Sequence, residues 1–285
     1  MVNARRSTPV LTAIAGLLLI SVGTGIYSLD LVSTPVASPE RTSFLVPVAF
    51  AYLVALVVGI FLVGAGAWRF INSRADVIRS EGLSPLSPGW IFPYLMTIKK
   101  FRAYFWTSAI IYGIFYSVFT GMIVYQPGVN FIQAYGATIP SLSVTPLQGS
   151  PLFTPVATLY LTDHLGGLFV PLTILLVFAI PALVAVNFTL AAFAIQSRAG
   201  KGKGWMGGVG AVVGLFTGCP TCAALFFANA LGGSGAVSFA TLLGYYQPAF
   251  ILLSIPVLVA TPYLTSASLA KVYRDGCVVL AGAQG

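Results

Sequence analysis

Six runs of apolar residues, at about 9–28, 45–67, 103–125, 165–196, 206–231 and 243–266, contain no Asp, Glu, Lys or Arg. Each supplies the roughly 20 residues that about 30 Å of hydrocarbon demands of a helix. Water does not accommodate six such surfaces in a chain of 285 residues, of which 58% are hydrophobic and 7% charged. Ordinary soluble domains carry about 25% charged residues, and a mean hydropathy of +0.94 leaves no polar half to fold separately. The expectation is therefore an all-α, polytopic integral membrane protein, a single transmembrane domain of six helices over 1–285 in the cell membrane.

The charges orient the bundle. Arg5 and Arg6 precede the first run. Arg69, Arg74, Arg79, Lys99, Lys100 and Arg102 separate the second and third. Arg198, Lys201 and Lys203 separate the fourth and fifth, and Lys271 and Arg274 follow the sixth. Thirteen of the fourteen basic residues thus fall on one side and only Arg41 on the other, which predicts N-in, C-in topology. The net charge of +8 is a topology signal distributed between spans, and nucleic acid is not an expected partner. The first run continues to about Leu29, and Tyr27-Ser28-Leu29 lacks the small residues of a cleavage site, so it reads as a retained span.

Two connecting segments stand apart. Residues 84–102 mix prolines, aromatics and a Lys-Lys pair, and read as an interfacial segment anchored by Trp90 and Tyr94. The long extracytoplasmic loop 126–164 has no Lys or Arg, and at that length is either a functional cap or disordered. Its 130–135 stretch, Asn-Phe-Ile-Gln-Ala-Tyr, carries no chemical signature. No internal repeat supports an inverted-repeat transporter.

Inventory excludes several chemistries. All six acids lie outside the runs, so a proton relay through this chain is not expected. His164 is the only histidine, which rules out a bis-histidine haem or a multi-histidine metal site built from this chain alone. Its neighbours Thr162 and Asp163 read as a helix start at the fourth run, with Asp163 as N-cap. A pH-responsive or metal-contacting residue is the alternative. Asn187-Phe188-Thr189 matches the glycosylation pattern but sits inside the fourth run, out of reach of modification.

The chemical lead is in the fifth run, at Gly218-Cys219-Pro220-Thr221-Cys222. Cys219 falls about 13 residues into the run, or about 20 Å at about 1.5 Å per residue, near mid-membrane. Residues i and i+3 share a helix face, so Cys219 and Cys222 can close a disulfide or hold one soft metal ion. Pro220 has no N–H and breaks the preceding turn, which starts a fresh half-helix whose free N–H groups stabilise a thiolate. Packing is the competing reading. Gly210, Gly214, Gly218 and Cys222 recur every four residues, a small-residue stripe that brings two helices close. Asn229, seven residues on, shares that face and reads as an interhelical hydrogen-bonding group, with orienting a ligand as the alternative.

Over about 219–251, the cysteine pair, the Gly232-Gly233-Ser234-Gly235 turn and Tyr246-Gln247-Pro248-Ala249-Phe250-Ile251 resemble mercuric-ion transport proteins. The resemblance implies that membrane cysteines pass a soft metal ion (copper, mercury or zinc) to cytoplasmic thiols, with Cys277 after the sixth run in a comparable place. In that family the membrane cysteines are adjacent and the cytoplasmic ones paired, whereas here two residues intervene and Cys277 is single. A looser similarity is to membrane dithiol carriers related to cytochrome c biogenesis proteins, whose cysteines lie on two helices.

Three functions are compatible with these features. The first is a transporter or carrier using Cys219 and Cys222 for soft metal ions or thiol redox. The second is a non-catalytic accessory subunit of a larger membrane complex, associating with other subunits or with itself. An enzyme acting on lipid ranks last, with only His164 and loop acids for acid–base work.

Overall fold

The computed structural model describes residues 2–33, 39–81, 87–136, 138–146, 150–196, 256 and 259–270. Most of these are helical, and three helices are long and apolar enough to cross a membrane. The element order is α1 (Val2–Ser33), α2 (Pro39–Glu81), α3 (Pro88–Thr97), α4 (Lys99–Phe119), β1 (Ile123–Tyr125), α5 (Phe131–Tyr135), β2 (Ser141–Thr145), β3 (Val156–Tyr160), β4 (Leu165–Phe169) and α6 (Pro171–Gln196). A further helical stretch covers 259–270. The chain divides into two compact units, Met1–Phe70 with Ile114–Ala179, and Ile71–Gly113 with Ile180–Gly285.

The first unit is organised by an antiparallel pairing of α1 and α2. Along α1 the seam runs through Pro9, Ala13, Gly16, Ile20, Gly23 and Tyr27; along α2 it runs through Tyr52, Ala55, Gly59, Val63 and Gly66. The α1 positions alternate steps of four and three, the spacing that keeps one stripe of a helix on its partner. Glycine is required where the backbones come closest. A Cβ on Gly16 would lie 2.6 Å from Gly59 O and 2.9 Å from Val63 N, and one on Gly66 would lie 2.7 Å from Ala13 N and 2.8 Å from Pro9 O. Such approach supplies dispersion contacts, the main attraction between helices when lipid is the solvent. The other faces of α1 leave Leu11, Leu17, Leu18, Val22 and Ile26 exposed, a surface suited to hydrocarbon.

The segment between α4 and α6 is folded, and the all-α expectation is corrected here. Its four strands form one antiparallel sheet in the order β1-β4-β3-β2. One face carries the row Val144, Ala157, Phe169, which packs on Ile20 of α1, Leu53 and Leu56 of α2, and Ile174 of α6. On the opposite face Phe131 of α5 lies against Tyr160, ring centroids 5.5 Å apart. A Cβ on Gly166, the partner of Tyr160, would sit 3.3 Å from the Phe131 ring and 2.9 Å from Leu159 O. The Leu159 carbonyl is what requires glycine here, and the ring packs tightly beside it.

Several sequence boundaries change accordingly. The third run was expected to span 103–125, but its helix ends at Phe119 and 123–125 form a strand. The fourth was expected from 165, but 165–169 are β4 and α6 starts at Pro171, a residue suited to a first helical turn. Segment 126–164 is folded, holding α5, β2 and β3. The basic segment from 68 begins as helix, since α2 continues to Glu81 through Arg69, Arg74 and Arg79. The fifth run and residues 243–255, 257 and 258 of the sixth lie outside the described residues.

The second unit contains α3, whose Ile91, Leu95 and Met96 are buried. Arg74 of α2 stacks over the Trp90 ring, 5.1 Å from its centroid, a cation–π contact. Burial pushes the Tyr94 phenol above its ordinary pKa. Within α6, Asn187 and Thr189 are buried, and their side chains donate to Leu183 O at 3.0 Å and Ala185 O at 2.7 Å. That buried helical setting keeps the glycosylation pattern out of reach, as its place in the run implied.

Candidate functional site

The cysteine pair at Cys219 and Cys222, the stripe of Gly210, Gly214 and Gly218, Asn229 and the cytoplasmic Cys277 all lie outside the described residues. Among the described residues no group of three His, Cys, Asp or Glu side chains comes together to hold a metal ion. The described polar geometry is concentrated where the α1–α2 pair meets the strand connections.

Tyr27 and Tyr52 stack there, centroids 5.0 Å apart and planes 10° from parallel. Both rings are buried. The Tyr52 hydroxyl donates to Pro151 O at 3.1 Å and lies 3.5 Å from Thr24 Oγ1, which itself donates to Ile20 O at 2.7 Å. The Tyr27 hydroxyl lies beside Thr154 without meeting hydrogen-bond geometry. Thr154 is buried and donates to Ser150 O at 3.2 Å. This cluster ties the helix pair to the 150–155 connection.

His164 is in the turn between β3 and β4, seven residues before α6, so the reading of Asp163 as a helix N-cap is corrected. Its Nδ1 is 2.8 Å from Val129 O. The backbone around it accepts as well: His164 O takes Gln126 N–H and Asp163 O takes Phe131 N–H, each at 2.9 Å. The turn is closed by Thr162 Oγ1, which accepts from Leu165 N at 3.0 Å. His164 therefore fastens the 126–131 segment to the sheet. Asn130, in the stretch without a chemical signature, caps α5 by accepting from Ile132 N and Gln133 N at 3.0 and 3.2 Å. Gly136, at φ 62°, ends that helix.

The α1–α2 seam was missed in the sequence, although its signal is present: Pro9, Ala13, Gly16, Ile20, Gly23 and Tyr27 repeat in steps of four and three. The glycine stripe of the fifth run is more regular and lies beside cysteines, which made it the more conspicuous of the two. Three helices long and apolar enough to cross a membrane point to a mostly helical membrane protein with a small sheet. No protein-family model, curated protein or solved structure matches the chain.

Proposed function

We propose that this is a multi-pass protein of the cell membrane, with six spans and both ends inside, that carries soft metal ions or reducing equivalents through Cys219 and Cys222. The observation that carries the reading is the Cys-Pro-Thr-Cys run within a long stretch free of charge. Soft ions prefer thiolate over the oxygen ligands of magnesium or calcium. Capture of such an ion displaces the thiol protons, and a half-helix started by Pro220 would offer free N–H groups that favour the thiolate form. Support for the topology comes from the thirteen-to-one division of basic residues. Antiparallel α1 and α2 are what adjacent spans in that topology require.

A second reading, the accessory subunit, is favoured by the Gly210, Gly214 and Gly218 stripe and by the exposed apolar face of α1. Both suit docking against other membrane helices.

Alanine substitution separates the two. The carrier reading expects Cys219→Ala, Cys222→Ala and the double variant to lose copper(I) or mercury(II) binding to similar extents, because one sulfur neither chelates nor closes a disulfide. The amount of folded protein should hold, since alanine suits a small-residue stripe. Metal binding and thiol redox unchanged in the double variant would remove the carrier reading and leave the subunit in front.

A further inference from the structure

The first turn of α4 reads Lys99-Lys100-Phe101-Arg102, and its side chains divide cleanly. Phe101 is buried, edge-on to Phe193 with centroids 5.4 Å apart. Lys99, Lys100 and Arg102 are all exposed. No acid lies in this turn, and none of the three cations forms an ion pair among the described residues. Lys99 and Arg102, three residues apart, share a helix face on which like charges repel.

The next turns of the same helix give this surface a direction. Lys100 Nζ lies 5.9 Å from the centre of the Tyr104 ring. Trp106, one turn beyond Arg102, is 47% exposed, and Ile110 and Ile111 are 58% and 64% exposed. The exposed surface passes from cations at Lys99 to amphipathic aromatics to aliphatic side chains at Ile111 over about 18 Å, at about 1.5 Å per residue. A bilayer leaflet presents the matching order of phosphate, interface and hydrocarbon, with aromatics at headgroup level.

From this gradient we infer that the start of α4 is a docking surface for anionic phospholipid, with Lys99, Lys100 and Arg102 on the headgroup phosphate and Trp106 at the interface below it. A zwitterionic headgroup offers the same phosphate but cancels the attraction with its own cation, so the surface selects lipids of net negative charge. Each cation at an anionic membrane surface strengthens association about fivefold.

The test uses the full chain in nanodiscs and reads tryptophan quenching by dibrominated phosphatidylglycerol against dibrominated phosphatidylcholine. Subtracting the signal of Trp106→Phe isolates Trp106. The wild type should be quenched preferentially by the anionic lipid. Arg102→Ala should reduce that preference about fivefold and the triple variant Lys99→Ala/Lys100→Ala/Arg102→Ala about a hundredfold. Arg79→Ala removes an equal charge from an exposed site on α2 and should change it less than about twofold. In the wild type alone, raising potassium chloride from about 0.05 M to about 0.5 M should erode the preference by screening. Inorganic phosphate at matched ionic strength should do no more than the chloride salt. The assignment is overturned by no preference in the wild type, by preference surviving in a folded triple variant or in high salt, or by equal losses at Arg79 and Arg102. Displacement specific to inorganic phosphate would equally overturn it, in favour of a free-anion site.

Discussion

Gly16→Ala is the smallest change that should force α1 and α2 apart. The added Cβ would fall 2.6 Å from Gly59 O, 2.9 Å from Val63 N and 2.9 Å from Val63 Cγ2. Two of those atoms are backbone, held by the hydrogen bonds of α2, so neither can rotate away. Overpacking of this kind costs about 1–3 kcal/mol. Gly64 lies on the same helix pair, yet a Cβ there meets nothing within 4 Å. Gly64→Ala should be neutral or gain up to about 1 kcal/mol from helix propensity. The propensity gain is common to both sites, so the two variants should differ by the overpacking cost, about 2 kcal/mol in mid-range, roughly thirtyfold in the equilibrium between packed and separated helices. Gly66→Ala should resemble Gly16→Ala, because Ala13 N and Pro9 O are also backbone. Gly59→Ala should resemble them too, since a Cβ there meets the Gly16 carbonyl oxygen at 2.9 Å as well as Ile20 Cγ1 at 2.5 Å. Reversible unfolding in mixed detergent micelles, followed by circular dichroism, measures the series. Equal stability for Gly16→Ala and Gly64→Ala would refute the close packing on which the first unit is built.

Tyr52→Phe removes the hydroxyl that meets Pro151 O and should cost about 1 kcal/mol of stability, while the near-ultraviolet signal of the stacked rings persists. Because burial raises the Tyr94 pKa, its contribution to stability is complete below the ordinary tyrosine value of about 10 and is lost as pH rises through the folded value; Tyr94→Phe should flatten the alkaline limb of a pH–stability curve. Ser143 is exposed on β2, so a membrane-impermeant maleimide on intact cells should label Ser143→Cys and spare native Cys277. The reverse labelling would invert the topology.

The helices long and apolar enough to cross lipid were legible because their signal is long. Apolar stretches such as 45–67 exclude charge for more than 20 residues, the length a span requires. The sheet was not legible. Its strands are three to five residues long, and β1 and β4 abut apolar helices, so Ile123-Val124-Tyr125 and Leu165-Gly166-Gly167 merged into the neighbouring runs. Arg69, Arg74 and Arg79 read as loop because charge marks the end of a span; the α2 helix continues through them because charged side chains on a helix need not end its hydrogen-bond ladder. His164 stands out in the sequence as the only histidine, but its acceptor, Val129 O, lies 35 residues away, and no local pattern announces such a pairing. The thiols stand differently: their residue types and spacing are explicit in the sequence, and their chemistry is a matter for direct measurement.

The most direct measurement is differential alkylation with peptide mass spectrometry on the purified, reduced full chain in nanodiscs. One equivalent of copper(I) or mercury(II) is added before a membrane-permeant alkylating reagent. The carrier account predicts that Cys219 and Cys222 become protected together and in proportion to the ion added, and that protection is lost at both positions when either is replaced by alanine. Cys219 and Cys222 alkylated to the same extent with and without the ion would contradict it.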